Sequence, residues 1–192
     1  MRNATVKRKT NETDISVSLN LDGNGRVICE SGNGFFDHMI HAMGRHAGYD
    51  IEIHCNGDTF VDFHHSTEDI GIVLGQAFSQ CVGNKTGIKR FGLAYTPMDE
   101  TLAMTAIDIS GRPFLVFNAE MPSERVGEFE TELVEEFMRG FAMNALITLH
   151  INLLYGKNTH HIIEAVFKSV GRALADSTRV TGDTILSTKG VL

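Results

Sequence analysis

Two histidine doublets, each trailed by a glutamate, are the residues of this sequence best suited to chemistry: His64 and His65 with Glu68, and His160 and His161 with Glu164. An α-helix turns about 100° per residue, so the first histidine of each doublet and its glutamate, at i and i+4, share one face. An imidazole and a carboxylate one turn apart form part of a metal site. Adjacent imidazoles diverge by that same angle, so a regular helix cannot bring both members of a doublet to one ion, and two doublets point to two ions. Nitrogen and oxygen donors without thiolate suit manganese or iron at least as well as zinc. A single H-H-x-x-E is equally the pattern of surface histidines at a helix start or of core histidines satisfied by carboxylates; its recurrence favours the metal.

Other candidates surround this set. His38 precedes the first doublet and Glu136 holds the corresponding position before the second. Lys168, eight residues after His160, is either an anchor for an anionic substrate or an i,i+4 salt-bridge partner of Glu164. Arg90 and Arg112 are guanidiniums suited to bidentate phosphate binding, or ordinary surface charges. His41, His54 and His150 read as surface or core histidines, as does His46 on spacing alone.

The elements that must position these residues repeat. A constant offset of 96 residues relates His64, His65, Glu68, Gly75 and Ala77 to His160, His161, Glu164, Gly171 and Ala173, the mark of an internal duplication. Residues 14–21 and 102–109 alternate apolar and polar side chains and predict half-buried strands. Residues 34–46 and 131–146 have apolar positions at helical spacing, and residues 49–55 and 148–154 are β-rich segments leading into helices over 64–80 and 160–176. The fold class is therefore α+β. Two strands-helix-strand-helix halves, 1–89 and 90–192, pack as a pseudo-symmetric pair of sheets with a helical layer, and join near Gly87 to Arg90.

Composition excludes several partners. Among 192 residues, 17 Lys and Arg stand against 24 Asp and Glu, a formal charge of -7 that disfavours nucleic acid. No apolar run approaches the roughly 20 residues that span a bilayer, so no membrane association is expected. Cys29, Cys55 and Cys81 form no CxxC pair, read as small core residues, and fit a cytoplasmic protein. No GxGxxG, GxxxxGK[ST] or G-x-S-x-G motif is present in a supporting context.

The motifs RKTNET, LDGNG, GFFDHM, DFHHSTEDIGI, GIKRFG, PMDE, DISGRP, GKNTHHIIEAVFK and STKGVL, in this order over essentially the whole chain, resemble the imidazole glycerol-phosphate dehydratase family of histidine biosynthesis. The resemblance implies a duplicated α+β fold and a lyase that removes water from imidazole glycerol phosphate to give imidazole acetol phosphate. It implies two manganese ions per active site, held by His38, His64, His65, Glu68, His160, His161 and Glu164, with the substrate ring bound as imidazolate. Glu136 stands where many members have histidine and is expected to replace it as a ligand. By the same resemblance Glu12 is the acid/base, Arg90, Arg112, Lys168, Ser187 and Lys189 hold the phosphate, and Arg45 and His46 line the pocket. A homo-oligomer of 24 subunits, with active sites between subunits, is implied as well. From the residues alone, a dinuclear metallohydrolase and a metal-storing structural assembly remain open as alternatives.

Overall fold

The computed structural model describes residues 2–190 and 192. In the first half, β1 (Asn3–Lys9), β2 (Thr13–Asn20) and β3 (Val27–Glu30) precede α1 (Gly34–Ala47), β4 (Asp50–Gly57) and α2 (His64–Val82). The second half repeats the plan with β5 (Phe91–Met98), β6 (Thr101–Asp108), β7 (Phe114–Asn118), α3 (Leu133–Ala145), β10 (Thr148–Tyr155) and α4 (Thr159–Thr178). It adds a short hairpin, β8 (Arg125–Val126) and β9 (Phe129–Glu130). The two main sheets have the same order, β1-β2-β4-β3 and β5-β6-β10-β7, and in each only the last pair is parallel. The α+β duplication read from the histidine doublets is thus a duplication of whole sheets.

Most predicted elements differ from the observed ones by a residue or two, for local reasons. Strand β4 runs on to Gly57 because its antiparallel register with β2 continues to the Thr13–Gly57 pair. Helix α3 begins two residues late because the Thr131 hydroxyl donates to the Ser123 carbonyl at 2.7 Å and holds that residue in a turn. At its other end Leu146 takes the left-handed conformation, φ 56°, and stops the helix. The segment joining the halves is tied down: Lys89 N–H donates to Arg179 O and Arg90 N–H to Ser177 O.

Helices from opposite halves meet between the sheets, α1 against α4 and α2 against α3. Phenylalanines fill the space they enclose. Phe36 of α1 meets Phe137 of α3 edge-on at 5.2 Å, Phe137 stacks on Phe167 of α4 at 5.5 Å, and Phe78 of α2 meets Phe141 at 5.7 Å. All five are buried, and each contributes about 1.5–3 kcal/mol of apolar transfer. Cys29 and Cys81 belong to this interior, and burial pushes the Cys81 thiol up to about 11, so it is a packing residue rather than a nucleophile. Cys55 is only half-buried.

The duplicated glycines set how close the helices come. A Cβ on Gly171 of α4 would lie 2.3 Å from the Met43 carbonyl oxygen of α1, and one on Gly75 of α2 would lie 2.6 Å from the Phe141 carbonyl oxygen of α3. Gly71 and Gly140 repeat the constraint between α2 and α3, with Cβ positions 2.5 Å from Phe137 O and 2.8 Å from Glu68 O. The obstructing atoms are main chain, so no side-chain rotation relieves the clash. Gly171→Ala should therefore lower stability by roughly 1–3 kcal/mol, the range of overpacked sites, although alanine is the better helix former by about 1 kcal/mol. The urea midpoint checks this, and an unchanged or higher midpoint would contradict the close approach.

Candidate metal centre and anion clefts

The first turns of α2 and α4 present the doublets. Asn158 caps α4, its side-chain oxygen accepting from the N–H groups of His160 and His161 at 3.0 and 3.3 Å. On α2 the Asp62 carboxylate accepts from the His64 N–H at 2.8 Å. Within each doublet the rings stand nearly perpendicular, at 77° and 81°, with centroids 6.3 Å apart. The divergence expected of neighbouring helical residues is present in both copies.

The close packing of α1 on α4 brings His38 to the second doublet. Ligand atoms of His38, His160 and Glu164 all lie within 4.8 Å of one another, the only such group of three or more among the described residues. His160 Nε2 is 3.2 Å and His38 Nε2 3.9 Å from Glu164 Oε2. Donors that share one cation at about 2.0–2.2 Å are separated by about 3–4 Å, so two imidazoles and a carboxylate in this arrangement fit a divalent ion such as manganese. Phe35 closes one side, its ring meeting that of His160 edge-on at 5.2 Å.

Lys168 Nζ lies 2.6 Å from the other oxygen, Glu164 Oε1. Burial by itself would raise the Glu164 pKa, but the Lys168 hydrogen bond and charge, backed by His38 and His160, outweigh it and hold the carboxyl below its ordinary range. Lys168 forms the i,i+4 salt bridge and also lines a cleft of about 400 Å³ with His38, His41, Arg45, His46 and Glu164. Burial, with the charge of Lys168 next, keeps His46 below its usual pKa and therefore neutral at pH 7.

The first half assembles fewer donors. His64 Nε2 is 3.8 Å from Glu68 Oε2, as the i,i+4 spacing predicts, but Glu136 lies beside Arg139 at 3.8 Å and is not grouped with them. The outer histidines face carboxylates that spacing did not single out. His65 Nδ1 lies 3.0 Å from Asp58, and His161 Nδ1 2.8 Å from Glu100; these hydrogen bonds raise both imidazole pKa values. The bond to His161, with a backbone donor from Asn158, drives Glu100 well below the carboxylate range. Glu12, in the turn between β1 and β2, reaches within 3.8 Å of His65 Nε2. Asp58 and Glu100 could have been found only through the fold, because Asp58 follows β4 and Glu100 lies in the β5–β6 turn.

Four more predicted residues line a second cleft. Arg90, Arg112, Ser187 and Lys189 surround a space of about 1140 Å³, together with Ser110 and Leu186. Arg90 is already engaged: its Nε and Nη2 donate to Asp108 at 2.7 and 3.2 Å, and its Nη1 donates to Leu186 O at 2.7 Å. Arg112 is largely exposed and 3.7 Å from the same carboxylate. His54, by contrast, has both ring nitrogens on carboxylates, Glu30 at 2.7 Å and Glu52 at 2.9 Å.

Solved structures share this architecture. The imidazoleglycerol-phosphate dehydratase of Staphylococcus aureus superposes with a TM-score of 0.85 at 43% identity, covering 93% of this chain and 99% of that one. The IGPD of Pyrococcus furiosus, solved in complex with (S)-C348, gives a TM-score of 0.85 at 36% identity over 97% of this chain and 100% of that one. The chain is accordingly an enzyme of the dehydratase class. Its residues 31–174 match the family model described as imidazoleglycerol-phosphate dehydratase. The imidazoleglycerol-phosphate dehydratase of Acetivibrio thermocellus is 53% identical over 100% of this chain and 99% of its own length, and that of Thermoanaerobacter pseudethanolicus 54% identical over 100% of both. This chain belongs to the imidazoleglycerol-phosphate dehydratase family, and membership sets aside the hydrolase and storage readings.

The Arg90 pairing yields a test of its structural share. Asp108→Ala leaves a mostly buried guanidinium without its partner and should cost roughly 1–3 kcal/mol, read as a lower urea midpoint. An unchanged midpoint would show that Arg90 does not depend on the pair.

Proposed function

We propose that this chain dehydrates imidazole glycerol phosphate to imidazole acetol phosphate in histidine biosynthesis, using two manganese ions per active site. The observation that carries the metal reading is the convergence of His38, His160 and Glu164 beneath a cleft lined by Lys168. His64, His65, Glu68 and His161 are the remaining proposed ligands. Glu136 completes the set only by turning from Arg139. When bound, the ions supply Lewis acidity that favours the deprotonated imidazole ring of the substrate.

The chain's own groups do the rest. Dehydration takes a carbon-bound proton that is not acidic and expels a hydroxyl that leaves poorly, and the enol so formed becomes the ketone of the product. Glu12, beside His65, takes the acid/base role and moves the proton. Arg90, Arg112, Ser187 and Lys189 bind the phosphate, assisted by Lys168, and the fixed phosphate orients the reacting carbons. Arg45 and His46 line the approach.

A homo-oligomer of 24 subunits, with active sites between them, belongs to the same proposal. One observation supports assembly. The outer face of the second sheet exposes Phe91, Leu93, Tyr95 and Phe114, each at least half accessible, where the outer face of β1 shows Asn3, Thr5, Lys7 and Lys9. A cytoplasmic location also belongs to this reading, in keeping with three free cysteines. No helix among the described residues is long and apolar enough to cross a membrane.

Two measurements test the function. Protein stripped of metal should turn over imidazole glycerol phosphate only after manganese is restored; undiminished turnover without metal would refute the cofactor. Glu12→Gln should keep manganese and assembly while losing about 10²–10⁴-fold in kcat, and full activity would remove Glu12 from the mechanism.

A further inference from the structure

The outer histidine of each doublet, His65 and His161, is held in the same way, by carboxylates at non-equivalent positions of the two halves. His65 Nδ1 lies 3.0 Å from Asp58 Oδ2 and His161 Nδ1 2.8 Å from Glu100 Oε2. An ionised carboxylate can only accept, so each Nδ1 carries a proton, and in the neutral ring, the form that binds a metal, the lone pair is on Nε2. Neither Nε2 makes a hydrogen bond among the described residues; their neighbours are Glu12 and Asp99, both at 3.8 Å. His54 shows the opposite case, with a carboxylate on each ring nitrogen and no lone pair to offer.

The halves match strand for strand, β2 (Thr13–Asn20) with β6 (Thr101–Asp108), so Glu100 in the β5–β6 turn corresponds to Glu12 in the β1–β2 turn, which faces His65 Nε2 at 3.8 Å rather than Nδ1. Asp58, which meets His65 Nδ1, lies beyond β4 instead. The same ring atom of equivalent histidines is thus reached by carboxylates from non-equivalent positions, and such agreement marks a constraint on the histidines themselves. We infer that Asp58 and Glu100 are positioning residues, which fix the Nδ1–H tautomer and ring angle of His65 and His161 so that Nε2 faces a metal ion. Carboxylates behind metal-bound imidazoles have this effect generally. The inference rests on the proposal that these two histidines are metal ligands.

Asp58 gives the cleaner test. Its carboxylate has no other hydrogen-bond partner among the described residues, whereas Glu100 also accepts from Lys157 N–H, Asn158 N–H and the Thr101 hydroxyl and so shapes the turn into α4. Full-length protein loaded with Mn²⁺ is dialysed against graded chelator, and manganese per chain is measured for the unsubstituted protein, Asp58→Ala, Asp58→Asn and His65→Ala. Asp58→Ala should release its metal at about 10–100-fold lower chelator. Asp58→Asn, whose amide oxygen still accepts from Nδ1–H, should stay close to the unsubstituted protein, and the thermal midpoint of metal-stripped Asp58→Ala should match that of the stripped parent. Unsubstituted retention in Asp58→Ala, while His65→Ala loses metal, overturns the positioning role and leaves the ligand reading standing. Equal loss in Asp58→Asn and Asp58→Ala, or a lowered midpoint in the stripped protein, also overturns it. Failure of the unsubstituted protein, or of His65→Ala alone, to show a metal dependence removes the ligand reading and this inference with it.

Discussion

Main-chain contact between helices from opposite halves is the constraint on which the site depends. Glycines at matching positions of α2 and α4 let those helices rest on the backbones of α3 and α1, where any side chain would collide with a carbonyl oxygen. For α4 the consequence is chemical: at that separation the His38 imidazole on α1 comes to the His160–Glu164 pair. The phenylalanines below supply the apolar burial that holds the helices together. Removing water from the helix layer and assembling the donors are thus one packing event.

Electrostatics at this centre is a balance between burial and partners. Glu164 is buried, which disfavours its charge, yet Lys168 holds it ionised with two imidazoles alongside. A carboxylate kept charged in a partly dry setting is a strong donor for a divalent ion. Arg90 shows the complementary arrangement, a guanidinium fixed by Asp108 and by a carbonyl of the chain's C-terminal segment. Its left-handed backbone, φ 72°, is tolerated because Arg90 N–H and the Ser177 carbonyl pair there.

The duplication, the four helices and the central strands were legible because they rest on periodicity and on a motif repeated at a fixed offset. The polar edge strand β1 and the short β3 left weaker patterns, since they bury little. Gly75 and Gly171 were visible as repeated letters, but their purpose depends on a carbonyl from another helix and appears only in three dimensions. For the same reason Asp58 and Glu100 were not found: they meet histidines across turns, with no spacing to betray them. His38 was placed beside the second doublet only by the crossing of α1 and α4, although it precedes the first doublet in sequence. The placement of Glu136 beside Arg139, away from His64 and Glu68, likewise lay beyond any motif.

The most direct measurement of the central claim is a crystal structure of the manganese-loaded, active protein with anomalous data collected at the manganese edge. The account predicts a strong peak within bonding distance of His38, His160 or Glu164 side chains, with α1 and α4 at the separation that Gly171 permits. An active crystal with no anomalous density at those side chains would contradict it.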